Sequence, residues 1–285
     1  VISKHTEEFH YRVRWRSDAV RPGFHPSRRS GAGERFHGLA PLLQHPDPRR
    51  IDLRASMLDP FGGYAVRIYE QRSAIKVFAA VDLSASMEFR GDSSKMTMLA
   101  DFLGSLALSA YRTGDAFGII GCSEKIHAEF SLPVCRHPAM ALNLVNRLRR
   151  FRPRGTNARA LSEVARFLPT SRALVFLVSD FHMPLTLIKR TLVSLGRHDV
   201  VPLVFWDAKE MSGGAALGFR RMRDLEDGSE RLLLLRPKLR ERLEESYRDR
   251  RQRLVHLFLS HGREPLFLEE GFRADDVTRY FQRAL

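Results

Sequence analysis

Cysteine is scarce in this 285-residue chain: there are two, Cys122 and Cys135, with no Cys-x-x-Cys or Cys/His spacing. That excludes a thiolate zinc site and a disulfide framework, and both read as ordinary reduced thiols. Long apolar runs are also missing, since no stretch approaches the roughly 18 residues that a membrane helix requires. The first residues, Val1 to Glu8, contain no signal-peptide core. The expectation is a cytoplasmic protein with no direct membrane insertion. The chain has no Walker sequence, no Gly-x-Ser-x-Gly elbow and no His-Glu-x-x-His. Those absences remove P-loop nucleotide hydrolysis, the α/β-hydrolase nucleophile and zinc-protease chemistry. Gly31-Ala32-Gly33 is no nucleotide fingerprint, because it lacks the buried strand before it and the helix after it.

Acidic residues are few beside basic ones, 33 against 47, which leaves a net charge of +14 carried by 40 Arg and only 7 Lys. Such a surface attracts acidic proteins, nucleic acids or anionic lipid heads. The arginines are scattered, few aromatics lie among them, and no nucleic-acid fold motif is present, so specific nucleic-acid binding is the lesser alternative. The densest run is Arg147, Arg149, Arg150, Arg152 and Arg154. It reads either as a basic collar leading into Thr156 or as a solvated helix end favoured by the helix dipole.

What the chain does contain is enough apolar residue, 44%, for a sizeable packed core. Phe9, Tyr11, Val13 and Trp15 alternate with basic residues, the period-2 pattern of a strand, and the Pro-, Gly-, Ser- and Arg-rich segment from Arg21 to Gly38 reads as a mobile loop. Residues 1–72 are therefore expected to form a β-rich extension, and 73–285 an α/β domain with C-terminal additions. In that domain, strands are expected over 74–81, 116–121, 126–132, 173–178 and 200–205. Helices are expected over 95–111, 138–150, 158–167 and 185–196, an alternation that suits a doubly wound, mostly parallel sheet with helices on both faces. The tail predicts a hairpin over 219–235 around Asp227-Gly228, a long helix from Pro237 to His261, a strand near 264–268 and a last helix.

Five oxygen-bearing side chains stand where apolar runs end: Asp82, Ser84 and Ser86 in Asp-x-Ser-x-Ser, Thr156 in Gly-Thr-Asn, and Asp180 in Val-Ser-Asp. Two carboxylates and several hydroxyls are hard ligands for Mg²⁺, or Mn²⁺ or Ca²⁺, with water completing the shell. Two aspartates would neutralise a divalent ion and leave it able to accept one more carboxylate from another molecule. The alternative is that Ser84 and Ser86 cap the following helix and Asp180 opens a turn. An enzyme would need a base beside the ion; His182 is the best placed, although a lone His after a strand more often caps or packs.

At these residues the chain resembles the metal-ion-dependent adhesion site of von Willebrand factor A domains. More narrowly, it resembles the bacterial von Willebrand factor A-like family of unknown function encoded beside MoxR-type AAA+ ATPases, including its MxaS-like members from methanol-oxidation gene clusters. That closer likeness rests on Asp47-Pro48-Arg49-Arg50-Ile51-Asp52-Leu53-Arg54-Ala55-Ser56 and on Val66-Arg67-Ile68-Tyr69-Glu70, with Leu53 where the family usually has Trp. The likeness spans roughly residues 9 to 207. It implies a von Willebrand factor A-like fold and a metal site at Asp82, Ser84, Ser86, Thr156 and Asp180. It also implies no enzymatic activity of the chain's own, and a role as adaptor between a MoxR-type ATPase and a client complex, such as methanol dehydrogenase, that is matured, assembled or loaded with metal. A metal-dependent hydrolase is the alternative.

Overall fold

The computed structural model describes residues 7–31, 33, 35–88, 94–153, 155, 157–207, 218–223, 230–235 and 237–283. The chain divides into two compact units, one of residues 12–75 and the other of residues 1–11 with 76–285.

In the smaller unit, β1 (Pro22–Gly31), β2 (Arg35–Pro41) and β3 (Ala65–Ser73) form an antiparallel sheet in the order β1-β3-β2. The mobile loop expected over 21–38 is thus largely strand. Its prolines and glycines hide the period-2 signal, and the β1 register is broken between Pro22 and His25 and between Pro26 and Ser30. The alternation from Phe9 to Trp15 does govern burial: Phe9, Tyr11 and Val13 are buried and His10, Arg12 and Arg14 exposed, but the segment joins no strand ladder.

The Asp47–Ser56 motif has a local structural explanation. Asp52 caps α1 (Leu53–Met57) by accepting from the Ala55 N–H, and its other oxygen accepts from Arg67 Nε at 2.8 Å in β3. Ser56 Oγ donates to the Asp52 carbonyl and accepts from the Ala65 N–H at 2.9 Å. These bonds hold the short helix to the sheet. Leu53 itself is 69% exposed.

The larger unit is built on a six-stranded sheet. Its strands are β4 (Lys76–Asp82), β5 (Ala116–Cys122), β6 (Ile126–Cys135), β7 (Leu174–Ser179), β8 (Asp199–Phe205) and, after the separate hairpin of β9 (Gly218–Arg223) and β10 (Glu230–Leu235), β11 (Leu266–Leu268). Their order is β11-β8-β7-β4-β5-β6, parallel throughout except for β6. Strand β6 runs beyond the expected 126–132 and ends at Cys135. The hairpin turn at Asp227-Gly228 lies outside the described residues.

Helices α2 (Lys95–Arg112), α3 (Pro138–Leu148), α4 (Leu185–Ser194), α5 (Pro237–Ser260) and α6 (Ala274–Arg283) fall close to their expected positions. The segment Arg159–Phe167, read as an ordinary helix, is wound as 3-10 turns. Strand β7 shows why both sheet faces need covering. Val175 and Leu177 pack in one cluster with Leu161, Ile188, Leu192, Leu254 and Phe258, while Phe176 on the opposite face meets Phe9, Phe102 and Phe281. This is the doubly wound, mostly parallel arrangement that the sequence implied. No helix among the described residues is long and apolar enough to cross a membrane.

Close packing between β5 and β6 constrains Gly121. A Cβ there would lie 2.9 Å from the Phe130 carbonyl oxygen and equally close to Leu83 and Phe130 side-chain atoms. Because one of these neighbours is backbone, Gly121→Ala is expected to cost about 1–3 kcal/mol. Urea denaturation checks this, and an unchanged midpoint would show that the strands can separate freely at this point.

Candidate metal centre

From β4 the chain passes to β5 on one side and later returns to β7 on the other, so the gap at the carboxyl ends of β4 and β7 is the point where the sheet order reverses. Open α/β sheets bind ligands at such a point, because the loops diverge there and leave a crevice. Asp82 ends β4 and Asp180 follows β7 directly.

Asp82 is completely buried. One carboxylate oxygen accepts from the Ser84 N–H at 2.9 Å, and the other from Ser179 Oγ at 2.6 Å. Ser84 Oγ and Ser86 Oγ lie 3.2 Å apart. They converge as the chain turns into a 3-10 segment, Ala85–Glu88. That separation is close to the edge of an octahedron with ligand bonds of about 2.1 Å, so both hydroxyls could serve one Mg²⁺-sized ion. The residues present therefore fit the group that the sequence implied. Among the described residues no three or more His, Cys, Asp or Glu are grouped so as to hold a metal ion.

Thr156 lies outside the described residues. Its neighbour Gly155 accepts from the Ala85 N–H at 3.1 Å, which brings the backbone of the third motif against the first. Gly155 has φ 140°, a conformation that favours glycine, and sits beside Ser123. Ser123 Oγ is 2.7 Å from His127 Nε2, and His127 Nδ1 is 3.1 Å from Glu129 Oε1. With Nδ1–H donating to the carboxylate, Nε2 is left to accept the hydroxyl proton. The basic run is partly engaged: Arg149 pairs with Asp101, and the Arg147 guanidinium lies 5.5 Å from the centre of the Phe130 ring. Arg154 falls outside the described residues.

The residues that sequence reasoning missed surround Asp180. Lys95, the first residue of α2, is fully buried, with Nζ 2.9 Å from Asp180 Oδ2 and 3.5 Å from the Ser86 carbonyl oxygen. Phe181 adopts φ 53°, unusual for an aromatic residue, and turns the chain sharply after Asp180. The turn is held by Ser179 Oγ accepting from the Phe181 N–H at 2.9 Å, and by Arg250 of α5 donating to the Phe181 and Met183 carbonyls. The Trp206 indole N–H donates to the Asp180 carbonyl at 2.8 Å. The His182 ring stacks on Trp206 and meets Tyr247 edge-on, while its backbone N–H donates to Asp180 Oδ1 at 3.3 Å.

The two carboxylates experience different fields. Burial, and then the charge of Asp180, raises the Asp82 carboxyl to about 6. Burial also pushes Asp180 upward, but Lys95 and His182 outweigh it and hold that carboxyl below its ordinary range.

A profile of the family described as "Protein of unknown function DUF58" matches residues 49–253. The chain belongs to that family. Every described residue of the centre lies inside the matched span of this DUF58 protein. A search of the curated proteins finds no match. Among solved structures the chain is similar to the conserved hypothetical protein BatB from Bacteroides thetaiotaomicron, at TM-score 0.45 and 13% identity, covering 74% of this chain and 98% of that one. It is similar to an aerotolerance-related membrane protein from Bacteroides fragilis at TM-score 0.44 and 14% identity, over the same shares. Proximal thread matrix protein 1 from the mussel byssus, in a structure described with a zinc-occupied MIDAS motif, gives TM-score 0.34 and 16% identity over 47% of this chain and 38% of that one.

Proposed function

We propose that this DUF58 protein is a metal-dependent protein-interaction module, without catalytic activity of its own, that acts in the cytoplasm as adaptor for a MoxR-type AAA+ ATPase. In this reading the pair matures, assembles or metal-loads a client complex, methanol dehydrogenase in the MxaS-like setting. One observation carries the metal-dependent part: two fully buried carboxylates, Asp82 and Asp180, flank the switch point together with a pair of converging hydroxyls. The ATPase comes from the sequence resemblance. Asp82, Ser84, Ser86 and Asp180, with Thr156, would hold Mg²⁺, Mn²⁺ or Ca²⁺, and the bound ion would supply an electrophilic point for a carboxylate on an acidic partner surface. Few protein oxygens contribute, so affinity for the ion alone should be modest.

The test is capture of the purified ATPase by the immobilised protein, with Mg²⁺ and with chelator. Capture is expected to disappear with chelator and to fall at least about tenfold in Asp82→Ala, as for the loss of a desolvated charge contact. Equal capture in excess chelator, with the variant binding as well as the parent, would overturn the mechanism.

A second reading, hydrolysis, is favoured by the Ser123–His127–Glu129 chain, which has the donor order of an activated hydroxyl nucleophile. It ranks second because Ser123 is 3% exposed, leaving little approach for a substrate carbonyl. A hydrolase would cleave p-nitrophenyl acetate without any ATPase and lose that turnover in Ser123→Ala.

A further inference from the structure

Six large apolar side chains stand exposed within residues 43–64 of the smaller unit: Leu43, Leu53, Met57, Leu58, Phe61 and Tyr64. Single apolar residues on a surface need no explanation, but a contiguous group marks an interaction site. The backbone brings these six to one end of the small sheet. The Leu42 N–H donates to the Tyr64 carbonyl at 2.8 Å, Pro41 pairs with Ala65 in the β2–β3 ladder, and the Ala65 N–H donates to Ser56 Oγ of α1. Helix α1 presents the reverse of an ordinary surface helix: Ser56 bonds to the sheet, while Leu53 and Met57, one turn apart and so on one face, are exposed. The turn that carries Phe61 is fixed by Asp59, whose carboxylate accepts from the Phe61 N–H at 3.1 Å and from the Gly63 N–H at 2.9 Å.

The charge around this group is of one sign. Its carboxylates are engaged: Asp59 in that turn, Asp52 with α1 and Arg67, and Asp47 with Arg50 and the Arg49 N–H. The guanidinium groups of Arg49 and Arg54, both exposed, pair with no carboxylate among the described residues. Residues 12–75 carry 12 Arg, no Lys and six acidic residues, a net charge of +6, so a second copy packed on this face would set like charges against each other. Leu43, Met57, Leu58 and Phe61 are between 77% and 97% exposed; they stand out from the surface and line no groove, so a partner helix would have no walls to pack between. An anionic bilayer surface needs none, because apolar tips enter its interfacial layer while arginines meet the lipid phosphates.

We propose that this end of the small sheet is a peripheral anchor on an anionic lipid surface, with Leu43, Met57, Leu58 and Phe61 entering the interfacial layer and Arg49 and Arg54 held against lipid phosphates. Contact of this kind requires no spanning helix, and none occurs among the described residues. It is independent of the candidate metal centre, whose residues belong to the larger unit.

The test is cosedimentation of the full chain, in chelator, with vesicles of phosphatidylcholine alone and of equal parts phosphatidylcholine and phosphatidylglycerol. The parent should bind the mixed vesicles at least about tenfold more tightly than the neutral ones, and less tightly as salt rises. Leu58→Ser with Phe61→Ser should weaken that binding at least about tenfold. Arg49→Gln with Arg54→Gln should weaken it about 25-fold, since each arginine near the surface contributes about fivefold. Arg242→Gln with Arg248→Gln removes two exposed charges from α5 and should change it less than about twofold, which separates a local contact from the general attraction of a basic protein. All these side chains are exposed, so the variants should keep the parent's urea midpoint. Loss in both variants of the small unit, with retention in the α5 variant, supports the anchor. A parent that sediments with neither vesicle, or with both alike, overturns it, and so does binding that ignores the serine pair and falls equally with the α5 charges. If vesicles are ignored while the serine pair abolishes capture of the purified ATPase, or dissociates a dimer seen by analytical ultracentrifugation, the face belongs to a protein partner or to a second copy and the lipid reading is overturned.

Discussion

Asp82→Asn should make the metal-free protein more stable at pH 7 by on the order of 2–3 kcal/mol, while removing its stabilisation by divalent ions. The Asp82 carboxyl is raised from 3.8 to about 6 in the folded protein, first by burial and then by Asp180. Between those values the native state holds a proton that the unfolded state has released. Stability contributed by this group therefore falls as pH rises from about 4 to about 6, and the whole deficit is present at neutral pH. Asp180 acts in the opposite sense: its carboxyl is held low, so its contribution is present above pH 4 and is lost below that, outside the window. Asparagine carries no charge, and its amide can still engage the Ser84 N–H with its oxygen and the Ser179 hydroxyl with its nitrogen. The fold should persist. Urea denaturation in chelator from pH 4 to 7.5 should give a flatter profile for the variant, and added Mg²⁺ should raise only the parent's midpoint. An Asp82→Asn protein no more stable than the parent at pH 7, with the same slope, would mean that the Asp82 carboxylate is well solvated or already neutralised.

Trp206→Ala should be the most destabilising single change near the centre, at about 3–5 kcal/mol. Trp206 is fully buried and contacts His182, Tyr247 and Phe267 through its ring. Its N–H satisfies the Asp180 carbonyl, so truncation leaves both a cavity and a buried acceptor without that donor. Trp206→Phe separates the two effects, keeping most of the volume and losing the hydrogen bond, and should cost about 1–2 kcal/mol. Metal binding should weaken in both variants, because the backbone that aims Asp180 is fixed partly by this bond. If the phenylalanine variant matches the parent in denaturation and in Mn²⁺ calorimetry, the indole N–H is dispensable and Phe181's turn is held by Arg250 and Ser179 alone.

The sheet was legible because its strands are buried on both faces: the runs Ile75–Val81 and Ala173–Val178 are uninterrupted by charge except at Lys76, and an aspartate marks where each emerges. Asp82 and Asp180 could be placed at one edge because parallel strands start and end in register. The small sheet was not legible, since Pro22, Gly23, Pro26 and Gly31 break the period on which strand recognition depends, and β1 pairs with β3, more than thirty residues away in sequence. Lys95 was hidden for a different reason. A lysine before Met96 and Leu99 reads as a solvated helix start, and its pairing with Asp180, distant in sequence, is visible in three dimensions alone. The roles of Ser179, Arg250 and Trp206 likewise depend on distant partners that no local pattern announces.

The β8 edge of the large sheet carries a consequence for self-association. Strand β11 covers Leu203 to Phe205, and among the described residues no other strand pairs with β8 on that side. At its beginning, Arg263 donates to the Asp199 carboxylate at 2.9 Å and to the His198 carbonyl at 2.6 Å. Next comes Pro202, which remains in register with Leu177 of β7 and offers no N–H to a newcomer. A guanidinium, a proline and a three-residue cover strand interrupt what would otherwise be a continuous row of backbone donors and acceptors, the usual template for aggregation. Strand addition at the uncovered part of β8 is thereby disfavoured, although the strand itself is strongly apolar.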